Sequence, residues 1–197
     1  PQGGVISPML SNLYFRRFVL AWYKLGFAKK LDARLINYAD DLVICCRPGG
    51  GAEALARMRE LMGRIGLTVN EEKTRLVSTP KEEMTFLGYT FRTCYTRTGR
   101  PYLGTRPSKK AVQRVCRRIH EETSISRLNS TPAGRVEAIN RIVRGWCGYF
   151  NQGPVFREYR IIKAYTVRRI RRWLMKKHKR QGTGYRQYPD EFLYDKL

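Results

Sequence analysis

Leu35-Ile36-Asn37-Tyr38-Ala39-Asp40-Asp41-Leu42-Val43-Ile44-Cys45-Cys46 is the stretch on which the fold turns. Two short, largely aliphatic runs flank a pair of adjacent acids, and runs of this length and composition read as strands. Ala33 to Cys46 is therefore expected to form a hairpin with the acids at its bend. Neighbouring carboxylates at a tight connection repel each other, and partial burial would desolvate them. A divalent cation removes that cost, and hard oxygen ligands suit Mg2+. Taken alone the dipeptide reads better as a solvated turn; the surrounding sequence is what favours a cation site.

Upstream of the hairpin, Ser7-Pro8 opens a helix that runs to about Gly26. Ser7 can cap it, and Pro8 suits its first turn. Leu10, Leu13, Tyr14, Phe18 and Ala21 recur at helical spacing and are expected to face a core. Downstream, Pro48-Gly49-Gly50-Gly51 reads as a connector, since a phosphate-cradling loop would end in Lys-Ser/Thr. Ala52 to Ile65 is amphipathic, with Leu55, Met58, Leu61, Met62 and Ile65 on one stripe, and Gly66 stops it. Short strands are expected at Leu67–Val69, Arg75–Ser78, Met84–Leu87 and Tyr89–Thr93. The fold class is α+β, an antiparallel sheet packed on helices.

After Pro101 the pattern turns helical, with a boundary between about Gly99 and Ser108. Arg106-Pro107-Ser108 leads into a helix with Val112, Val115 and Ile119 inside, and Lys109, Lys110, Arg114, Arg117 and Arg118 largely outside. Thr131-Pro132 starts a second, with Val136, Ile139, Ile142, Val143, Trp146 and Phe150 on one face. Gly153-Pro154 breaks it. A third runs to about Lys179, with Tyr159, Ile162, Ile170 and Trp173 on one side. Its polar surface carries Arg168, Arg169, Arg171, Arg172, Lys176, Lys177, Lys179 and Arg180. Three helices with short breaks form a small bundle. The Gly- and Tyr-rich tail from Gln181 is expected to lack regular structure.

The chain has 197 residues, 42% of them hydrophobic, with a formal charge of +23. A compact protein so charged repels itself unless a polyanion shares its field, and nucleic acid leads the candidates over an acidic membrane surface. Few acids accompany the basic helices, so local ion pairs cannot neutralise them. Tyr149, Tyr185 and Tyr188 could stack on bases, with packing the preferred role for Tyr149. No apolar run is long enough to span a bilayer. Cys45, Cys46, Cys94, Cys116 and Cys147 show no metal-ligand spacing, and Cys45 and Cys46 read as small core or near-core residues. These features imply a reducing, cytoplasmic setting. His120 and His178 read as surface residues. The sequence opens on Pro1-Gln2-Gly3-Gly4 rather than Met, as expected of a fragment or processed piece.

Several motifs then fall in order. Pro1 to Asn12 resembles the block preceding the catalytic hairpin in reverse transcriptases of group II introns, and Tyr38-Ala39-Asp40-Asp41 resembles their active-site tetrad. Gly66 to Thr74 and Phe86-Leu87-Gly88-Tyr89-Thr90-Phe91 resemble the next two blocks. Pro107-Ser108-Lys109-Lys110, Gly145-Trp146-Cys147-Gly148-Tyr149-Phe150 and Arg172-Trp173-Leu174 are similar to the maturase, or thumb, region. The tetrad by itself is weak evidence; the ordered set, spanning nearly the whole chain, is strong.

The resemblance implies a partial right-hand polymerase palm over residues 1–100, an all-α three-helix thumb/maturase domain over 101–180, and a tail over 181–197. It implies an RNA-directed DNA polymerase, a nucleotidyltransferase of a retroelement, with a maturase role in RNA splicing. Asp40 and Asp41 would be catalytic and hold metal, two Mg2+ ions in the complete site. Tyr38 and Ala39 would lie beneath the primer terminus, with Gln2 and Gly3 shaping the nucleotide pocket. Lys73 would approach the leaving phosphates, though a plain surface lysine is an even alternative. Phe86, Leu87, Gly88 and Tyr89 would grip the primer. Lys109, Lys110, Arg114, Arg117, Arg118, Arg168, Arg169, Arg171, Arg172, Lys176 and Lys177 would bind RNA through its backbone. The implied partners are intron RNA, an RNA template with DNA primer, and dNTPs, with no membrane. A missing N-terminal part or second chain would supply the fingers and a third carboxylate, so this polypeptide alone is expected to polymerise little. A non-catalytic intron RNA-binding maturase, and a domesticated CRISPR-associated or repair enzyme, remain alternatives.

Overall fold

The computed structural model describes residues 5–79 and 81–195, and divides into two compact units, residues 1–78 and 79–197. In the first unit, α1 (Ser7–Lys24) and the short α2 (Phe27–Lys30) precede the hairpin β1 (Arg34–Tyr38) and β2 (Asp41–Cys45), and α3 (Gly51–Arg64) follows. The hairpin register pairs Arg34 with Cys45 and Tyr38 with Asp41, so Leu35, Leu42 and Ile44 turn to the core while Ile36, Tyr38, Asp41 and Cys45 are exposed. Phe18, Trp22, Leu31, Ala33, Ala54, Met58, Leu61 and Met62 form that core.

Four expectations change here. Only the C-terminal half of α1 is covered: Phe18 and Trp22 are buried, but Leu10, Leu13 and Tyr14 remain 44%, 57% and 43% exposed. Ile6 holds the N-cap position without a side-chain cap, and Ser7 is the first helical residue. Cys45 faces outward because it alternates with the inward Ile44, whereas Cys46 packs on the core. Leu67–Val69 and Arg75–Ser78 are irregular rather than strands. Val69 and Leu67 still pack on the core, and apolar packing alone supplied the strand-like pattern.

In the second unit, β3 (Met84–Phe86), β4 (Tyr89–Tyr95) and β5 (Pro101–Pro107) form an antiparallel sheet separate from the first hairpin. Then come α4 (Lys109–Glu122), a 3-10 turn at Ile125–Arg127, α5 (Pro132–Tyr149), α6 (Phe156–Lys177) and α7 (Asp190–Asp195). Ser108 Oγ accepts from the Ala111 amide and Thr131 Oγ1 from the Gly134 amide, capping α4 and α5 where sequence placed their starts. Val115, Ile119, Ile139 and Ile162 close the bundle core. The compact units divide earlier than residue 100, because the β3–β5 sheet is bonded to the helices: the Ser108 amide donates to Gly88 O. β5 occupies the stretch expected to be a boundary.

The tail is also structured. Tyr188 and Leu193 are buried against Trp173, Leu174 and Met175 of α6. Arg171 is only 2% exposed, donating to Tyr188 O and Asp190, with its guanidinium 4.0 Å from the Tyr185 ring centre.

Candidate functional sites

The acidic hairpin is closed by Ala39 and Asp40 between the paired Tyr38 and Asp41. Ala39 has φ +52°, the left-handed conformation that two-residue hairpin turns demand and that residues with a Cβ adopt at a cost. The turn presents Asp40, and the outer face of the hairpin presents Asp41 beside Tyr38, which is 65% exposed. Among the described residues neither aspartate has an ion-pair or hydrogen-bond partner within the chain, and no third His, Cys, Asp or Glu gathers with them. The donor set, two outward carboxylates and no sulfur or nitrogen, suits a hard cation that keeps water and phosphate oxygens in its shell. Lys73 lies in the turn after Asn70, its amide 3.2 Å from Asn70 Oδ1, and makes no ion pair with either acid. Gln2 and Gly3 lie outside the described residues.

In the second unit, Phe86 and Tyr89 pair across a turn made of Leu87 and Gly88, both at positive φ (+49° and +79°). The aromatic end of α5 clamps this turn. Tyr149 Oη donates to Leu87 O at 3.0 Å, Tyr89 Oη donates to Tyr149 O at 2.7 Å, and the Tyr89 ring lies 5.0 Å from Phe150. A Cβ on Gly88 would stand 3.0 Å from Phe150 Cζ, so glycine is what admits the ring.

Beside this turn runs a groove of about 900 Å3 between α4 and α5. Ala111, Val115, Ile142 and Trp146 form its apolar floor; Lys110, Arg114 and Arg118, spaced four residues apart on α4, and Arg141 from α5 supply the charge. Glu122 is the acid in its wall, and it pairs with the buried Arg135. Arg141 and Trp146 were not among the binding residues expected from sequence. Helical phasing against the Val112–Val115–Ile119 stripe could have singled out the Lys110–Arg114–Arg118 row.

The other basic residues separate into two groups. Lys109, Arg117, Arg168, Arg172 and Lys176 are exposed, and Arg172 and Lys176 share a second pocket of about 360 Å3 with Arg169 and Arg180. Three expected surface cations serve the fold instead. Arg171 is buried under the tail; Arg169 donates to Thr123 Oγ1 and Thr123 O; and Lys177 donates to Leu128 O at 2.7 Å. Burial lowers the Arg169 guanidinium from its ordinary value, though it stays charged at neutral pH. Burial raises the Cys116 and Cys147 thiols above their ordinary value, which favours the protonated form over the nucleophilic thiolate. Among the described residues, no helix is long and apolar enough to cross a membrane.

A family model described as reverse transcriptase (RNA-dependent DNA polymerase) matches residues 1–91. A second, described as group II intron, maturase-specific domain, matches residues 112–189. No curated protein matches the chain. The acidic hairpin and the Leu87–Gly88 turn fall inside the first match and most of the basic groove inside the second, in the order the motifs required; the chain belongs to the group II intron reverse transcriptase and maturase family.

Proposed function

We propose that this chain carries the metal-binding acids of an RNA-directed DNA polymerase together with a thumb that holds RNA or an RNA–DNA hybrid. The observation that carries the reading is the pair Asp40 and Asp41, held at a tight hairpin bend with no side-chain partners among the described residues, in a chain of net charge +23. Asp40 and Asp41 would hold Mg2+. When bound, the ion favours ionisation of an attacking hydroxyl and offsets charge on phosphate oxygens. The chain's own part is positional. The strand pairing fixes both carboxylates on one bend, and the small Ala39 leaves the space above it open. A third carboxylate, from a further segment or a second chain, would complete the site, so the polypeptide by itself is expected to extend primers little.

In the second unit, the Lys110–Arg114–Arg118 row and Arg141 would take phosphates, while base pairing supplies sequence discrimination. The Tyr149 clamp would hold the Leu87–Gly88 turn against the same groove, making it a grip for one strand. From residue 109 to 180 there are twenty Lys and Arg but four Glu, which favours a polyanion over internal neutralisation. That same balance supports a maturase role in gripping intron RNA, which needs no carboxylates.

Mn2+ titrated into the isotope-labelled chain is expected to broaden the amide resonances of Tyr38 to Leu42 selectively, and Asp40→Asn with Asp41→Asn is expected to remove the effect. Where RNA-templated DNA synthesis is measured, Asp40→Ala or Asp41→Ala is expected to abolish it without lowering Tm, since both side chains are exposed. Broadening spread evenly over surface acids, or synthesis surviving in either variant, overturns the reading.

A further inference from the structure

Residues 92–111 lie between the two family matches, and the structure gives them a distinct shape. β3 pairs only with Tyr89 to Phe91 of β4, so from Arg92 outward β4 and β5 are each other's only strand partners among the described residues: Arg92 with Gly104, Thr93 with Leu103, Cys94 with Tyr102, Tyr95 with Pro101. Thr93 Oγ1 also donates to Thr79 O at 2.9 Å, short of the tip. At the usual strand rise, Tyr95 lies roughly 20 Å along the ribbon from Tyr89 and the clamped turn.

The tip is firmly built. The Gly99 amide donates to Thr96 O at 2.9 Å, the Thr96 amide to Arg100 O at 2.8 Å, and the Arg100 amide to Thr96 Oγ1 at 3.0 Å. Gly99 sits at φ +78°, as three-residue hairpin loops require. Yet nothing among the described residues covers it. Tyr95 is 69% exposed, Leu103 57% and Tyr102 45%. Residues 89–107 hold four arginines and no acid. Arg92 and Arg106 are both engaged by Glu83 near the base of the ribbon, whereas Arg97 and Arg100 are exposed and have no ion pair among the described residues.

We propose that this ribbon tip binds single-stranded RNA, with Arg97 and Arg100 on the phosphates and Tyr95 and Tyr102 as stacking surfaces for unpaired bases. The strand register puts the two tyrosines on opposite faces, so each face of the ribbon offers one ring. Unpaired bases expose the π-faces that a duplex keeps stacked, which selects single strands over an A-form helix. The charge selects a polyanion over a protein strand. Pro101 and Pro107 at the two ends of the edge strand β5 also remove backbone donors that strand addition would use. An ordered turn holds the arginines and rings in place before binding, which spares the ordering cost. This surface stands apart from the α4–α5 groove and does not depend on it.

The test is fluorescence anisotropy of the full chain with two labelled probes, an oligouridylate of roughly 12 nucleotides and a blunt RNA–DNA duplex of similar length. Tyr95→Ala with Tyr102→Ala is expected to weaken oligouridylate binding by about tenfold or more and to leave duplex binding within about twofold. Tyr95→Phe with Tyr102→Phe keeps the rings and is expected to keep the affinity. Arg114→Ala with Arg118→Ala is expected to do the reverse, weakening the duplex more than the single strand. If the alanine pair melts early, Arg97→Ala with Arg100→Ala carries the test, since those side chains bond nothing among the described residues; the same single-strand loss is expected. Unchanged oligouridylate affinity, which would leave the tip to a protein partner, or an equal loss on both probes, overturns the proposal.

Discussion

Gly88 and Gly99 have almost the same backbone angle, φ +79° and +78°, but different surroundings. A Cβ at Gly88 would meet Phe150 Cζ at 3.0 Å and Cε1 at 3.3 Å, in a site where Tyr149 and Ser108 already bond the turn; at Gly99 it would meet nothing within 4 Å. Both substitutions to alanine incur left-handed strain, about 1 kcal/mol. Only Gly88→Ala adds overpacking against a ring held from several sides, for a total of about 2–4 kcal/mol. Urea denaturation followed by Trp fluorescence should therefore show Gly88→Ala lowering the midpoint at least twice as far as Gly99→Ala. Equal shifts would mean that the Phe150 ring moves aside freely, and the turn could not then be called clamped.

Arg171 shows how an element can hide a residue's role. On α6 it sits among Arg168, Arg169, Arg172 and Lys176, and in sequence all five look alike. The tail decides the difference: Tyr188 O and Asp190 accept from Arg171, and Tyr185 covers its guanidinium, whereas Arg172 stays in solvent. Arg171→Ala removes charge-assisted bonds worth about 1.5–3 kcal/mol to docking, so the undocked tail should become about ten to a hundred times more populated. Trypsin cleavage after the exposed Arg186 should accelerate accordingly, and Arg172→Ala should leave it unchanged. Similar rates in the two variants would show that Tyr188 and Leu193 dock the tail without the arginine. The helices α3 to α6 were legible because each buries a stripe with helical period, and Ser108 and Thr131 mark two of their starts. The Asp40–Asp41 bend was legible because aliphatic runs flank it. β5 was not, since Pro101 and Pro107 bound it and the alternation between them is weak. The first half of α1 misled for the opposite reason: its apolar period is real, but among the described residues nothing covers it. Within the groove, sequence supplied the α4 row but not Arg141, whose place depends on how α5 packs against α4.

At the scale of the whole molecule, a charge of +23 makes some nucleic-acid binding unavoidable, so affinity alone says little about where the nucleic acid lies. The salt dependence is more informative, because each cation seated on a phosphate releases a counterion and adds roughly 0.7–0.9 to the slope of log K against log salt. Lys110, Arg114, Arg118 and Arg141 converge on one groove, and if all four hold phosphates, replacing them with alanine should reduce the slope by about 3. Arg16, Arg17, Lys24 and Lys29 are exposed cations of the first unit and provide a control matched in charge. Removing those four lowers the net charge equally but takes no seat on the groove, so it should weaken binding modestly and change the slope by less than about 1. Filter binding of an RNA–DNA duplex across a range of salt concentrations distinguishes the two quadruple variants. Equal changes in slope would mean that the chain attracts nucleic acid as a diffuse cloud of charge. A large change confined to the groove variant would mean that α4 and α5 hold the strand at defined phosphates, as a thumb must if the duplex is to stay in register while it is extended.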